Sequence, residues 1–151
     1  MRIGIAIKIL AHTYGPDQML YTPEMIVNEH KDVLKNKGRV YFSTNLPVNG
    51  KRVPFLKELI LYDPAGSVCY RCNVLSVTTG KTNTNYPADA DRFSPAIFNE
   101  PKKTWFLIDK IEPVSVSELD NPVLSDDDPK TVRDVMSASS DKRFPRFFYK
   151  I

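Results

Sequence analysis

Twelve prolines are spread through a chain of 151 residues. A proline inside a helix removes a backbone hydrogen bond and clashes with the preceding turn. That density therefore breaks up helices and favours short strands joined by loops. The stretch Thr104–Pro113 carries the only tryptophan, opens behind Lys102-Lys103 and closes at a proline. Read as a strand, it sends Trp105, Leu107, Asp109 and Ile111 to one face and Phe106, Ile108, Lys110 and Glu112 to the other. Both faces pass from apolar to polar, as in a strand that leaves a core and runs out to solvent.

The remaining chain gives an alternation of strands, turns and a helix. Ile3, Ile5, Ile7 and Ile9 alternate as in a buried strand. The apolar run there is short, is broken by Lys8 and lacks a small-residue cleavage site, so it does not read as a signal peptide. His12 to Tyr21 is polar and turn-rich. Thr22-Pro23-Glu24 is a helix start, with Thr22 as N-cap, Pro23 in the first helical position and Glu24 near the positive end of the dipole. Ile26, His30, Val33 and Leu34 share one face, and Gly38 supplies the stop. Strands are expected at Arg39–Ser43, Leu56–Tyr62 and Ser67–Thr78, with turns at Asn49-Gly50 and Asp63-Pro64-Ala65-Gly66. The Ser67–Thr78 strand changes its apolar face along its length, which predicts a bulge. Thr79–Pro101 is a long polar loop. A short strand within Val114–Leu124, a helix opening at Asp128-Pro129 with Val132, Val135 and Met136 on its apolar face, and a closing strand over Arg143–Lys150 complete the reading.

A chain of this length suits a single domain, 1–151, with one core. The formal charge of +3 and pI near 8.8 permit a nucleic-acid partner without the strongly basic signature of a dedicated binder. No run approaches the roughly 20 apolar residues of a membrane span. Two cysteines make no disulfide framework, and a cytoplasmic protein is expected.

In that order of elements, residues 39–136, about two-thirds of the chain, resemble the PUA-like barrels and among them the EVE domains, relatives of YTH and ASCH domains. Val40-Tyr41-Phe42-Ser43-Thr44-Asn45 is similar to the first barrel strand and the polar residues behind it. Leu59-Ile60-Leu61-Tyr62 and Val68–Val77 resemble the adjoining strand pair. Thr104–Ile111 followed by Leu119-Asp120-Asn121-Pro122-Val123-Leu124 resembles the EVE strand and its proline-valine segment. Leu56-Lys57-Glu58 stands where EVE domains often carry a Gly-Asp pair.

The resemblance implies an α+β fold of PUA-like type: a mostly antiparallel curved sheet or small β-barrel with two or three flanking helices. Residues 1–38 form an N-terminal strand-and-helix addition and residues 39–151 the barrel. It further implies a pocket for a nucleobase, often a modified one, and hence DNA or RNA as partner. An extruded base offers a flat face to aromatic side chains and a polar edge to Asn, Ser or Thr. Tyr41, Tyr70 and Trp105 are the aromatic candidates, and Ser43, Thr44 and Asn45 the edge readers. Lys81, Lys102, Lys103, Arg143 and Arg146 are the candidates for phosphate contact. Trp105 suits either a core position or a pocket wall.

Other motifs carry less. Cys69-Tyr-Arg-Cys72 is one CxxC pair, half a zinc site, and lies in a strand where an offset of three sends the thiols to opposite faces. Gly80-Lys81-Thr82 lacks the upstream glycine of a phosphate-binding loop, since Leu75 stands there. His30 lies on an apolar helix face and reads as structural, and His12 has no partner nucleophile assignable from sequence. Asp126-Asp127-Asp128 reads as a helix cap with solvated neighbours. No metal, cofactor or catalytic residue is expected. Two rivals to nucleic-acid binding remain: an ASCH-like hydrolase drawing on Lys57, Glu58 and Thr44, and an interaction or homo-oligomerisation module.

Overall fold

The computed structural model describes residues 2–46, 48, 51–63, 68–120, 131–133 and 146–150. The fold is α+β. Strands β1 (Arg2–Lys8), β4 (Val40–Thr44), β5 (Leu56–Asp63), β6 (Val68–Thr79), β7 (Thr104–Val114) and β8 (Arg146–Lys150) form a six-stranded sheet in the order β4-β7-β6-β5-β1-β8. Only β1 and β5 run parallel; the other neighbours are antiparallel. A separate hairpin joins β2 (His12–Tyr14) to β3 (Met19–Tyr21). The passage read as turn-rich is therefore a hairpin, with Gly15 and Gln18 at positive φ in its turn. Among the described residues β4 and β8 are the two edges of the sheet, which does not close into a barrel. β1 lies between β5 and β8, inside the same sheet as the strands that follow it.

Helix α1 (Pro23–Lys37) forms where the capping residues place it. Thr22 Oγ1 accepts from the Met25 N–H at 3.2 Å. Gly38 ends it at φ 81, in the left-handed region open to glycine, and its N–H reaches the Leu34 carbonyl at 2.8 Å. Ile26, Val27 and His30 are its buried residues, with Val33 and Leu34 partly buried beside them.

One apolar cluster takes residues from every strand of the main sheet: Ile5 and Ile7, Val40 and Phe42, Leu59 and Leu61, Tyr70 and Cys72, Phe106 and Ile108, and Phe147. A single face collecting side chains from all six strands is a concave one, and α1 fills it. The opposite face carries two smaller clusters. Tyr41, Ala90, Phe93, Trp105 and Leu107 pack under the single turn α2 (Ala90–Phe93). Ala6, Ile60, Tyr62, Cys69, Leu119, Val132 and Phe148 pack at the other end.

Bulges give the sheet its curvature, and they revise the alternation read from sequence. The β6–β7 register passes from Asn73↔Lys110 to Val74↔Ile108, which makes Asp109 an extra residue. Ile111 therefore joins Phe106 and Ile108 on the concave face, while Lys110 and Glu112 turn to the side of Trp105 and Leu107. Strict alternation predicted the reverse. Leu75 is a second extra residue, between Val74↔Ile108 and Ser76↔Leu107, and it returns Val77 to the concave face. Lys57 is a third, between Ile3↔Leu56 and Gly4↔Glu58.

The strand expected within Val114–Leu124 is instead a 3-10 helix, Val116–Asp120. Ser115 starts it: its carbonyl accepts from Glu118 N–H at 3.0 Å and its hydroxyl from Ser117 N–H at 3.3 Å. The turns at Asn49-Gly50 and Pro64–Gly66, the Asp128-Pro129 helix start, Val135, Met136 and Arg143 lie outside the described residues. Val132 is described and fully buried.

Gly4 pairs with Phe148 across β1 and β8, and a Cβ at Gly4 would lie 2.2 Å from the Phe148 ring. Phe148 is itself fully buried. Gly4→Val is expected to lower the urea-unfolding free energy by about 1–3 kcal/mol, the usual cost of overpacking. Adding Phe148→Leu should recover part of that loss. A Gly4→Val protein as stable as the parent would mean that the ring relocates freely.

Candidate ligand-binding cleft

The concave core opens at one end into a cleft of about 430 Å³. Its walls come from the end of β1, the β2–β3 hairpin, α1, the end of β4, and the segment around Phe98–Lys102. Ser43, Thr44 and Asn45, expected as edge readers, all line it, and so does Lys102. The end of β4 is held there by its own polar groups. Thr44 Oγ1 accepts from Leu46 N–H at 3.1 Å, and Asn45 Oδ1 accepts from Lys103 N–H at 3.3 Å. Thr104 Oγ1 donates to the Leu46 carbonyl at 3.3 Å. The Lys102 ammonium lies 2.8 Å from Glu100.

The aromatic candidates stand elsewhere. Trp105 is fully buried on the opposite face, edge-on to Tyr41 and to Tyr86 at centroid distances of 5.6 and 5.7 Å. Its Nε1–H donates to the Asn85 carbonyl at 3.0 Å, so the one polar atom of the indole is satisfied. Tyr41 donates to Asp89 at 2.6 Å, and burial together with that carboxylate pushes its hydroxyl up to about 12. Tyr70 lies in the concave core with the Lys31 ammonium 5.1 Å from its ring centre. None of the three lines the cleft. Lys81 is exposed in the loop after β6, and Lys103 is half-buried. Arg146 belongs to β8, at the sheet edge opposite β4.

The aromatic rings that do line the cleft are His12, Tyr14, His30, Phe42 and Phe98. His30 and Phe98 are stacked, 5.3 Å apart and 12° from parallel, and Phe42 lies 5.2 Å away on a tilt. Tyr14 meets Phe98 edge-on at 4.6 Å and His12 at 4.9 Å. Nδ1–H of His30 donates to the Ile26 carbonyl at 2.7 Å. Burial dominates that bond and brings the imidazole down to about 4, so it is neutral at pH 7. His30 had a visible place on the helix face, but the residues that share that face, Ile26, Val33 and Leu34, are apolar and read as core. Phe98 had no periodic context at all within the long loop.

The loop after β6 is ordered by its attachment to β7. Asn85 and Lys102 exchange backbone hydrogen bonds at 3.0 Å in both directions. Asn85 Nδ2 donates to the Lys103 carbonyl at 2.7 Å. Gly80 leaves room for that amide, since a Cβ there would lie 2.4 Å from Nδ2.

A second hollow, of about 540 Å³, lies on the opposite face of the sheet between the two smaller clusters. Lys57, Arg71 and Lys110 face Glu58, Asp109 and Glu112 in it. Arg71 donates to Glu112 Oε1 at 3.0 and 2.5 Å and reaches Glu118 at 3.4 Å and Glu58 at 3.6 Å. Arg71 holds the Glu112 carboxyl below the usual range. Three cations against three anions leave little net field for a polyanion. Cys69 and Cys72 lie in clusters on opposite faces, as the strand offset predicts. Burial is the main cause that raises both thiols, Cys69 to about 11. Both are therefore protonated and unreactive at pH 7.

Among the described residues no group of three or more His, Cys, Asp or Glu side chains is placed to hold a metal, and no helix is long and apolar enough to cross a membrane. No protein-family model, curated protein or solved structure matches the chain.

Two stability measurements follow from this geometry. His30 is depressed from 6.5 to about 4, so between those values the unfolded chain binds the proton that the folded chain refuses. Stability is full above pH 6.5 and falls toward pH 4, by about 3 kcal/mol in total. His30→Phe should flatten that part of the pH profile of urea unfolding; an unchanged profile would place the acid sensitivity in other groups. Trp105→Ala should cost about 3–5 kcal/mol, as for other large core truncations. A loss below about 1 kcal/mol would mean that its neighbours collapse into the space.

Proposed function

We propose that the protein binds nucleic acid in the manner of a PUA-like module, holding one base, modified or not, in the cleft beside α1. The observation that supports this best is the convergence of Ser43, Thr44, Asn45 and Lys102 on one hollow large enough for a base and its sugar. Short hydroxyl and amide groups suit a base edge, and the hairpin rings of the exposed His12 and the half-buried Tyr14 suit its face. Lys102, with Lys103 next in the chain and Lys81 following Gly80, whose N–H donates to the Lys103 carbonyl, suits the phosphates on either side. Trp105 and Tyr41 contribute to this site by packing, since they hold β4, β7 and the loop that carries Lys102.

The hydrolase reading draws less support. Thr44 lines the cleft, while Lys57 and Glu58 line the hollow on the other face, and such a mechanism needs them around one reacting atom.

Replacing Lys102 and Lys103 together by glutamate is expected to weaken binding of single-stranded oligonucleotides of every sequence alike. It should also reduce the steepness of the logarithmic salt dependence by about two, one per phosphate contact. Fluorescence anisotropy across a salt series measures both. A loss confined to one sequence would assign the pair to base reading, and no binding at low salt would end the proposal.

A further inference from the structure

The cleft contains one acceptor whose direction is settled by the fold. His30 is 3% exposed, with Phe98 stacked on its ring and Phe42 tilted against it at 5.2 Å. A base cannot stack on it; only an edge of the ring can meet a ligand. Nδ1–H is committed to the Ile26 carbonyl. Among the described residues Nε2 has no hydrogen-bond partner, yet it is not among the buried polar atoms sealed from solvent. It is therefore the part of the imidazole that opens into the cleft His30 lines. The Nδ1 bond also selects the tautomer: a neutral ring that carries its proton on Nδ1 has a bare lone pair on Nε2 and can only accept. Burial keeps the ring neutral at pH 7, so the acceptor does not turn into a donor.

The other polar groups on this wall differ in kind. The Thr44 hydroxyl and the Asn45 side-chain oxygen already serve backbone N–H groups. The donors left for a ligand are the Thr44 hydroxyl proton and the Asn45 amide protons, beside one spare lone pair on each oxygen. His30 sets an acceptor in a cleft wall whose β4 side offers donors. We propose that His30 Nε2 is the specificity-determining acceptor of the cleft, selecting a base whose edge presents an N–H to it. This inference rests on the proposed function and deepens it, because it assigns the polarity of the edge that is read. An incoming carbonyl or bare ring nitrogen would face the Nε2 lone pair with no proton between them, and the buried group would lose its solvent without compensation.

The test uses the full chain and oligonucleotides of the four homopolymeric types, oligo(dA), oligo(dC), oligo(dG) and oligo(dT). The tightest of these is compared with its counterpart in which the N–H groups of the pairing edge are methylated. The parent protein should bind the methylated strand about five- to tenfold more weakly, the loss of one hydrogen bond. His30→Phe keeps a stacked ring between Phe42 and Phe98 but has no acceptor, and it should bind the two strands equally. Equal binding of both strands by the parent, or a preference that survives in His30→Phe, overturns the inference and leaves nucleic-acid binding standing. If none of the four homopolymers binds, the proposed function falls and the inference with it. Should His30→Phe fail to fold, the parent alone decides the matter. The ¹⁵N resonance of Nε2 must move on binding the tightest strand by more than that of Nδ1, and an unmoved Nε2 overturns the assignment.

Discussion

The concave face of the main sheet governs the rest of the molecule. Burying Ile5, Ile7, Phe42, Leu59, Leu61, Phe106 and Ile108 in one cluster requires six strands to bend around a common centre. A regular twisted sheet of this width would not bring β4 and β1, with three strands between them, to the same cleft, yet both line it. The extra residues Lys57, Leu75 and Asp109 supply the bends, and each turns an apolar side chain back to the core at the point where alternation would have sent it out. α1 then closes the concavity through Ile26 and Val27. The cleft is the portion of that concavity which the helix and the hairpin leave uncovered.

Trp105 acts on the cleft from behind. On the far face of β7 its indole secures the Asn85 carbonyl, and Asn85 in turn pairs with Lys102 and holds the Lys103 carbonyl. Lys103 N–H reaches Asn45 at the end of β4. A chain of hydrogen bonds thus runs from a fully buried indole to the polar end of β4, through the backbone of Asn85, Lys102 and Lys103 and the side-chain amides of Asn85 and Asn45. Such bonds fix position without adding charge. That allows the loop to be polar in sequence and still present Lys102 at a defined place.

Much of this was legible where the signal is local. The boundaries of α1 follow from Thr22, Pro23 and Gly38, because capping and left-handed conformation depend on single residues. The strands at Val40, Leu56, Val68 and Thr104 follow from composition and alternation. The partners on each face of β7 did not, because a bulge is a property of two paired strands. Asp109 is extra only relative to Asn73 and Val74. For the same reason Ser43, Thr44 and Asn45 were legible as the polar end of a strand, whereas the aromatic rings nearest to them were not. His30, Phe98 and Tyr14 come together from a helix, a loop and a hairpin, and no periodicity within one element records such a meeting. Tyr41 and Trp105 were visible as large aromatics, but the face they occupy depends on the sheet's curvature.

The two hollows of the sheet show how differently polar groups can be satisfied on one scaffold. Around Arg71 the cations and anions answer one another across strands, at distances from 2.5 to 3.6 Å. Partial exposure screens those pairs, so they contribute little stability beyond fixing register. In the cleft Lys102 pairs with Glu100 and a buried Lys8 lies in the wall, while His30, Ser43, Thr44 and Asn45 beside them are neutral. Neutral donors and acceptors cost less to bury than charges and discriminate more sharply, since each must meet its opposite in kind and direction. A wall of this composition suits the reading of an uncharged polar edge, with attraction left to the lysines at its rim. The fold supports that division. The concave core excludes water from the inner groups, and the polar loop carries its lysine to the mouth.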